Sequence, residues 1–509
     1  MTRTRDRAPA AEAEIERKYE LGHGRPVPAL APVGPVTGRA EPRETLLDAS
    51  YFDTRDHRLA RAGITLRRRS GGGDDGWHLK LPVSEDRRDE LSLPLTREQD
   101  AVPRRLTRLV KAYTLDRKLV PIASLRTRRT SYDLVDDRGA VLATMTDDVV
   151  TGEVGGAAAH LDHWRELEIE LSRGADPGLL DLLDSAARAA GAERSRWPSK
   201  LRRLMGEQVP GKVCEGKARA GDVLVAYLRE QVEALGRNDV GVRRGTADSV
   251  HQLRVAARRL RSALKSFPHL LDRAVTRPLA EELKWLGGTL GPARDTEVMA
   301  ALLRAELAEL APELVLGSVD RSLTRHFARE AEEARDAALR ALDSKRYTRL
   351  LRALDELVER PPVTRRGRRG TKELRHGLVK AERKLRRSVS AADGAEQGRD
   401  LDVALHEVRK KAKQARYAAD ALRPVTGRKL GEWRKGVKAL QSTLGEHHDT
   451  VVARDVLRLL GIKAYADGDN GFTFGLLHGL STGRSGKLRR EFVNRWRSVH
   501  KGPRPEWLG

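Results

Sequence analysis

Apolar and polar residues alternate along several stretches of the first 200 residues. The alternation is clear in EIERKYEL, GITLRRR, WHLKLP and RELEIEL, and a period of two residues is typical of β-strands. A glycine-rich stretch at 71–76 separates two of these runs and predicts a hairpin loop. The pattern therefore predicts an N-terminal domain built of antiparallel strands.

From about residue 221 onward, apolar residues recur at helical spacing in segments rich in Leu, Ala, Arg and Glu. A chain of 509 residues is too long for one hydrophobic core, and the change of pattern predicts where it divides. We expect a disordered tail over 1–11, a β domain over 12–206, a linker over 207–220 and an all-α domain over 221–505. A polar gap at 359–374 is expected to divide the helical domain in two.

Two pairs of motifs repeat within the helical part. VHQLRVAARRLRSAL begins at Val250 and LHEVRKKAKQARYAA begins at Leu405, and each carries a histidine followed by basic residues. LGPARDTEV and LGEHHDTVV follow them at nearly equal distances, and both contain Leu-Gly, three further residues and Asp-Thr. Two shared motifs at matched spacing indicate a duplicated helical unit.

The positive charge of the chain is concentrated in the helical part. The formal charge is +24, of which +2 belongs to residues 1–208 and +22 to residues 209–509. This excess favours a polyanionic partner such as nucleic acid, an anionic membrane surface or inorganic polyphosphate. The single cysteine, Cys214, excludes an intramolecular disulfide. Because the chain has no apolar run that could span a bilayer and starts without the apolar core of a signal peptide, a cytoplasmic protein is expected.

Charged residues in the β domain share strand faces by sign. Alternation groups Glu14, Glu16 and Lys18; Arg67 and Arg69; His78 and Lys80; Arg126 and Arg128; Asp148; and Glu166, Glu168 and Glu170. If the sheet closes, these faces point into one lumen, where charges must be paired or must coordinate a ligand. Carboxylates hold Mg²⁺ or Mn²⁺, and Arg and Lys hold phosphate oxygens, so the lumen is predicted to be a metal–polyphosphate site.

The strand motifs also resemble a known family. EIERKY resembles the Glu-x-Glu-x-Lys signature of CYTH domains, the triphosphate tunnel metalloenzymes. YFDT, LRRR, HLK, RTRR, the Asp147/Asp148 pair, ELEIEL and PSKLRRL follow in order. The resemblance implies an eight-stranded antiparallel β tunnel that acts on linear triphosphates. Known members include inorganic triphosphatases, thiamine-triphosphatases, adenylyl cyclases and RNA triphosphatases.

The resemblance also implies roles for individual residues. The metal ligands would be Glu14, Glu16, Asp148, Glu168 and Glu170. The phosphate-binding residues would be Lys18, Arg67, Arg69, Lys80, Arg126, Arg128 and Lys200. The residues assigned to catalysis are Glu16, Glu168, Glu170 and Lys200. Mg²⁺ or Mn²⁺ would orient an attacking water and polarise the terminal phosphorus. Either Glu16 or one of Glu168 and Glu170 would position that water.

In the helical part, the two histidine-led motifs each place a basic stripe on one face of a helix. The stripes contain His251, Arg254, Arg258 and Arg261 in the first motif, and His406, Arg409, Lys413 and Arg416 in the second. Facing each other, they would form a basic channel. A metal site at EHHD is disfavoured because the first repeat has Pro-Ala-Arg-Asp at the matching positions. Proteins that bind single-stranded nucleic acid stack its bases on aromatic side chains. Aromatic residues make up only 4% of this chain, which disfavours that partner.

These helical motifs resemble the CHAD domain, a conserved histidine α-helical domain of two four-helix bundles. The resemblance implies inorganic polyphosphate binding in a basic central cavity. We therefore interpret the chain as a metal-dependent triphosphatase, acting on tripolyphosphate or a related triphosphate, joined to a polyphosphate-binding helical domain. One alternative is a non-catalytic, polyphosphate-granule-associated protein, and another is a nucleic-acid-binding protein.

Overall fold

The computed structural model describes residues 11–22, 24–95, 101–155, 160–206 and 219–508. The chain forms two compact units, Met1–Cys214 and Glu215–Gly509. The predicted tail (1–11) and linker (207–220) lie almost entirely outside the described residues. No helix among the described residues has an apolar stretch long enough to cross a membrane.

The N-terminal unit is a closed antiparallel barrel. Its strands are β1 (Ala11–Glu20), β2 (Gly38–Arg39), β3 (Arg43–Asp53), β4 (Thr65–Ser70), β5 (Gly76–Pro82), β6 (Arg87–Pro94), β7 (Val120–Val135), β8 (Val141–Val154), β9 (His160–Leu171) and β10 (Glu193–Arg194). Eight of them follow the order β1-β6-β5-β4-β3-β7-β8-β9, and β9 pairs back onto β1. The eight-stranded tunnel expected from the sequence is confirmed.

Short helices accompany the barrel: α1 (Arg58–Arg61), α2 (Arg104–Leu109), α3 (Lys111–Thr114), α4 (Leu179–Ala189) and α5 (Lys200–Met205). Leu179, Leu180 and Leu183 of α4 pack on apolar residues such as Ile169, covering one outer side of the barrel. Ser199 precedes helix α5 as its N-cap, and its hydroxyl accepts a hydrogen bond from the Arg202 N–H.

Helix α5 closes one end of the lumen. Leu201, Leu204 and Met205 pack against Val150 and Trp164, which share strand parity with the lumen carboxylates of β8 and β9. This end contains the last residues of β3 and β8 and the first residues of β7 and β9. The β4–β5 hairpin lies at the opposite end, because neighbouring strands are antiparallel.

The C-terminal unit is all α-helical, as predicted. Its helices are α6 (Ala220–Arg244), α7 (Ser249–Ser266), α8 (Arg273–Thr289), α9 (Gly291–Ala308), α10 (Val319–Asp343), α11 (Lys345–Glu359), α12 (Lys372–Asp393), α13 (Arg399–Ala421), α14 (Arg428–Ala466) and α15 (Phe472–Lys501). Single 3₁₀ turns at Pro312–Leu314, Arg423–Val425 and Glu506–Leu508 complete the described part of the unit.

The two halves of the helical unit repeat the same order of packed helices. α6 packs on α7, α7 on α8 and α9 on α10, while α12 packs on α13, α13 on α14 and α14 on α15. The long helix α14 corresponds to α8 and α9 together. Pro292 stands at the start of α9, and its missing N–H and fixed φ explain why the first half is divided there. Helix α11 has no counterpart among the described helices of the second half.

Candidate functional site

The lumen of the barrel is lined by charges of both signs in similar numbers. The carboxylates are Glu14, Glu16, Glu90, Asp148, Glu166, Glu168 and Glu170, and the cations are Lys18, Arg67, Arg69, Lys80, Arg88, Arg129 and Lys200. The alternation of the strands directs these side chains inward. Such a lumen can hold a polyanion and a cation together.

Three buried carboxylates form the tightest acidic cluster. Ligand oxygens of Asp148, Glu166 and Glu168 all lie within 4.8 Å of one another, close enough to hold one metal ion together. Lys200 Nζ lies 2.9 Å from Asp148 Oδ2 and 2.8 Å from Glu166 Oε1 and Glu168 Oε1. Arg129 bonds both oxygens of Asp148, at 2.8 and 2.6 Å. The hard oxygen donors of this cluster suit Mg²⁺ or Mn²⁺.

Ion pairs keep Glu168 of this cluster charged despite its burial. Burial alone would raise the pKa of Glu168, but Lys18, Lys200 and Arg129 outweigh it and hold that pKa well below its usual range. Burial also opposes the charge of Lys200, yet its carboxylate partners raise its pKa well above the usual value. Glu168 is therefore ionised at neutral pH, and protein cations compensate its charge.

The other predicted metal ligands lie outside this cluster. Glu14 pairs with Lys80 at 2.6 Å, and burial together with a hydrogen bond to Glu90 raises the pKa of Glu14 to about 8. For Glu16, burial is outweighed by Lys18 and Lys80, which lower its pKa to about 2. Burial raises the pKa of Glu170. Metal binding by Glu14, Glu16 and Glu170 stays a prediction.

Two arginines of β4 face the lumen with part of their hydrogen-bonding capacity unused. The Nε atoms of Arg67 and Arg69 are buried and have no hydrogen-bond partner among the described residues. Burial and the neighbouring Arg67 lower the pKa of Arg69 to about 10. Crowded, incompletely satisfied guanidinium groups favour an anionic ligand, in keeping with the predicted phosphate-binding role.

Strand β7 departs from the sequence prediction. Arg126 and Arg128 lie on the outer face, where Arg126 is 77% exposed and bonds Asp48, whereas Arg129 points inward to Asp148 and Glu168. The placement of Arg126 and Arg128 in the lumen was therefore wrong. The apolar residue Leu125 shares the inward parity of Arg129 because the α5 end of the lumen is apolar.

Two further lumen residues, Arg88 and Glu90, were missed as candidates, and Glu166 was placed on the lumen face but was not assigned as a metal ligand. Arg88 bonds Glu16 at 2.9 Å and Glu90 lies 2.7 Å from His78 Nδ1. In RRDELSLP, polar residues alternate with Leu91 and Leu93, and this pattern could have identified Arg88 and Glu90. For Glu166 the signal was its shared parity with Glu168 and Glu170.

In the helical unit, the two basic stripes lie on packed helices, α7 and α13. We call the first three residues of each stripe, taken together, the cradle: His251, Arg254, Arg258, His406, Arg409 and Lys413. The charges of Arg254 and Arg258 on α7 reach Lys413 on α13. Arg258 Nε donates to Tyr417 Oη at 3.0 Å. The structure therefore gathers side chains from both repeats into one place.

The last residues of the two stripes, Arg261 and Arg416, differ in their contacts. Arg416 Nε donates to Gln441 at 2.9 Å, and its guanidinium lies 4.5 Å from the Tyr417 ring centroid. Arg261 has a buried Nε with no hydrogen-bond partner among the described residues. Polyphosphate binding by Arg261 and Arg416 stays a prediction.

The cradle carries more positive charge than its neighbours compensate. Burial, with Arg409 and Arg258 nearby, lowers the pKa of Lys413 to about 7. Burial and Arg409 likewise lower the pKa of His448, whose ring lies 4.4 Å from that of His406, to about 4. The Nε of Arg409 has no hydrogen-bond partner among the described residues. These features identify a site that an anion would stabilise.

The aspartates of the two repeated Asp-Thr motifs accompany the cradle arginines. Asp295 lies 3.0 Å from Arg254, and the charge of Asp449 acts on both Arg409 and Lys413. Each half therefore supplies one carboxylate whose charge acts on an arginine of its own stripe, and in the first half the two side chains are in direct contact.

The barrel with its buried carboxylates defines a tunnel domain, and the paired helical halves define a second domain. Residues 12–205 match the CYTH domain family and residues 226–458 match the CHAD domain family. A Mycobacterium tuberculosis protein, Rv2226, is 37% identical over 512 residues, covering 97% of this chain and 98% of its own. The chain therefore belongs to the family that joins a CYTH domain to a CHAD domain. Its N-terminal unit is of the triphosphate tunnel metalloenzyme type, a metal-dependent class.

Two solved structures resemble parts of the chain. PptA from Streptomyces chartreusis is 23% identical, covers 55% of this chain and 100% of its own, and has a TM-score of 0.46. The CHAD domain from the plant Ricinus communis is 24% identical, covers 58% of this chain and 96% of its own, and has a TM-score of 0.45.

Proposed function

We propose that the N-terminal unit hydrolyses a linear triphosphate, with inorganic tripolyphosphate as its substrate, and that the helical unit binds inorganic polyphosphate. The observation that supports the first part is one lumen that contains both a carboxylate cluster, Asp148, Glu166 and Glu168, and two buried guanidinium groups, Arg67 and Arg69, whose Nε atoms have no hydrogen-bond partner among the described residues. Cations along the lumen would bind the oxygens of a phosphate chain. Hydrolysis also needs charged groups beside the phosphorus that is attacked, which stabilise the charge that develops there.

The carboxylate cluster would hold Mg²⁺ or Mn²⁺. A bound divalent cation would lower the pKa of a coordinated water and offset charge on the phosphate oxygens. The side chains of Arg67, Arg69 and Lys80 would bind phosphate oxygens and stabilise the charge on the departing pyrophosphate. Helix α5 excludes bulk water from one end of the lumen. Glu16, Glu168 and Glu170 remain the candidates for orienting the attacking water.

Polyphosphate is the ligand that best matches the cradle. Its repeating charges would each meet a cation of α7 or α13, and Arg409 and Lys413 lack enough nearby carboxylate to balance them. Tyr417, whose hydroxyl accepts the hydrogen bond from Arg258, is 1% exposed, so its ring is not available for stacking with a base. This arrangement favours an unbranched inorganic chain over a nucleic acid.

A phosphate-release assay tests the catalytic part. The full chain would be incubated with tripolyphosphate, ATP, thiamine triphosphate or long-chain polyphosphate, with Mg²⁺, Mn²⁺ or EDTA. We expect orthophosphate release from tripolyphosphate that requires a metal and exceeds release from the other three. If no substrate yields phosphate with either metal, the tunnel is non-catalytic and the alternative of a pure binding protein holds.

A competition assay tests the binding part. Labelled long-chain polyphosphate bound to the full chain would be challenged with unlabelled polyphosphate or with single-stranded RNA of equal charge. We expect polyphosphate to displace the label at much lower concentration. Equal displacement by RNA would favour a nucleic-acid-binding protein.

A further inference from the structure

The glycine-rich hairpin at 71–76 lies at the mouth of the lumen that α5 does not close. It joins the end of β4 to the start of β5, and Arg69, two residues before Gly71, is a lumen arginine whose Nε has no hydrogen-bond partner among the described residues. At this mouth the hairpin can touch whatever extends out of the tunnel.

The conformation of the hairpin is fixed by its glycines. Gly71, Gly72 and Gly73 all have positive φ, between 82° and 90°, which other residues rarely adopt. A Cβ at Gly71 would lie 2.0 Å from the Leu46 carbonyl oxygen, so the backbone passes too close for any side chain. The Gly71 N–H also donates to Asp75 Oδ1 at 2.7 Å. The glycines therefore allow the close backbone path that leads into the next residue of the hairpin.

That residue is Asp74, and it contacts the lumen twice. Its carboxylate forms an ion pair with the Arg69 guanidinium, which is only 11% exposed while Asp74 is 51% exposed. Its carbonyl oxygen lies 3.0 Å from His78 Nε2, and the other ring nitrogen of His78 lies 2.7 Å from Glu90. Asp74 thus presents a carboxylate to a lumen arginine from outside.

Arg69 needs an anion because it lies close to Arg67 in a buried setting, and both Nε atoms lack a hydrogen-bond partner among the described residues. A phosphoryl group and a carboxylate satisfy a guanidinium in the same way, through oxygens in its plane. Asp74 and a phosphoryl group would therefore compete for Arg69.

We propose that Asp74 is a specificity-determining residue: by pairing with Arg69 it disfavours a further phosphoryl group at the open mouth and so favours triphosphate over longer chains. This inference rests on the proposed function of the tunnel. Asp74 does not touch the reacting atoms and would not be a catalytic residue.

The test compares Asp74→Asn with Asp48→Asn in the full chain. Asp48 is a matched control because it also pairs with an arginine, Arg126, at 3.1 Å, but on the outer face of the barrel. Metal-dependent binding of tripolyphosphate and of tetrapolyphosphate, taken as the difference between titrations with Mg²⁺ and with EDTA, would be measured by calorimetry, and hydrolysis of both by phosphate release. We expect Asp74→Asn to raise the affinity for tetrapolyphosphate relative to tripolyphosphate by about two- to fivefold, as an exposed ion pair allows, with kcat for tripolyphosphate little changed.

Each outcome decides one claim. An unchanged affinity ratio in Asp74→Asn, or an equal change in Asp48→Asn, would overturn the role of Asp74 even if the enzyme is active. Absence of hydrolysis in the wild type would contradict the proposed activity, while the binding ratio would still decide the role of Asp74. If the wild type binds neither phosphate chain, both proposals are wrong.

Discussion

The tunnel and the cradle both gather Lys and Arg side chains, but they compensate them differently. In the tunnel each of several cations contacts carboxylates directly, as Lys200 contacts Asp148, Glu166 and Glu168. In the cradle, Arg409 lowers the pKa of the buried Lys413, and the charges of Asp449 and Asp295 offset this group of cations only in part. One site is nearly neutral, and the other carries excess positive charge.

The difference indicates how each site would respond to a phosphate chain. In the tunnel, phosphate oxygens would have to replace carboxylates as partners of the cations, so the released carboxylates need another cation, and binding should depend on metal. In the cradle, phosphate adds the missing negative charge, so binding should need no metal but should be sensitive to salt.

The largest effect is expected from Glu168→Gln in the tunnel. Because Glu168 is shared by the carboxylate cluster, Lys200 and Arg129, loss of its charge should lower metal-dependent phosphate release by at least about 100-fold. Polyphosphate binding by the cradle should be unchanged. The control is Glu153→Gln, which removes an exposed carboxylate of the same barrel. If Glu168→Gln releases phosphate at the wild-type rate, the carboxylate cluster is not part of the catalytic site.

The second effect concerns the cradle. Replacing Arg254, Arg258, Arg409 and Lys413 with Ala should weaken polyphosphate binding by about 100-fold or more. The slope of log affinity against log salt should also become shallower, by up to about 0.9 for each cation that no longer neutralises a phosphate. Tripolyphosphate hydrolysis should be retained. Binding would be measured by titration at several salt concentrations.

The matched control for this variant removes the same amount of charge elsewhere in the helical unit. Arg365, Arg366, Arg368 and Arg369 are all exposed and lie between α11 and α12. If their replacement weakens binding as strongly, the helical unit acts as a diffuse cation and the cradle is not a defined site.

Strand alternation predicted most of the tunnel because lumen charges keep one parity along each strand. It failed on β7, where Leu125 and Arg129 both point inward. An apolar residue usually indicates the outer, covered face of a barrel with a polar lumen, but here α5 fills one end of the lumen with Leu201 and Leu204. That packing depends on a distant segment and is not visible in the strand itself.

The helical site was predictable because it is duplicated. The spacing of histidine and basic residues places both stripes on helix faces, and the repeat implies that the faces meet. The asymmetric parts were not predictable in this way: the division at Pro292 and the hydroxyl of Tyr417 each occur in one half only. Neither has a repeated signal in the sequence.

The third prediction uses the pKa of Lys413, which burial and the cations Arg409 and Arg258 lower to about 7. A bound polyanion favours the charged amine, so the pKa of Lys413 in the complex is higher and binding takes up a proton. Affinity should therefore be highest below pH 7 and should fall by about tenfold as pH rises from 7 to 9. Lys413→Arg should remove this pH dependence because its guanidinium stays charged. The measurement is a polyphosphate titration at constant ionic strength across this range.

The stability of the free protein should depend on pH in the opposite direction, rising where the affinity for polyphosphate falls. Because the pKa of Lys413 is lower in the folded state than in the unfolded chain, the unfolded chain binds more protons between about pH 7 and 10. This residue therefore makes stability rise with pH in that window, and Lys413→Met should abolish its contribution. Affinity that rises with pH in the wild type would contradict the placement of Lys413 at the anion.

The smallest effect is expected from Tyr417→Phe. Tyr417 Oη accepts the hydrogen bond from Arg258 Nε, and the ring lies 5.9 Å from the guanidinium of Arg258. The first repeat has Ser262 at the matching position, so this orienting contact has no duplicate. Loss of one hydrogen bond should lower polyphosphate affinity by about two- to fivefold. Tyr227→Phe is the control, since that buried hydroxyl has no hydrogen-bond partner among the described residues. If both variants bind polyphosphate like the wild type, packing alone holds the Arg258 guanidinium in place. The hydroxyl of Tyr417 then does not help to orient the cations of the cradle.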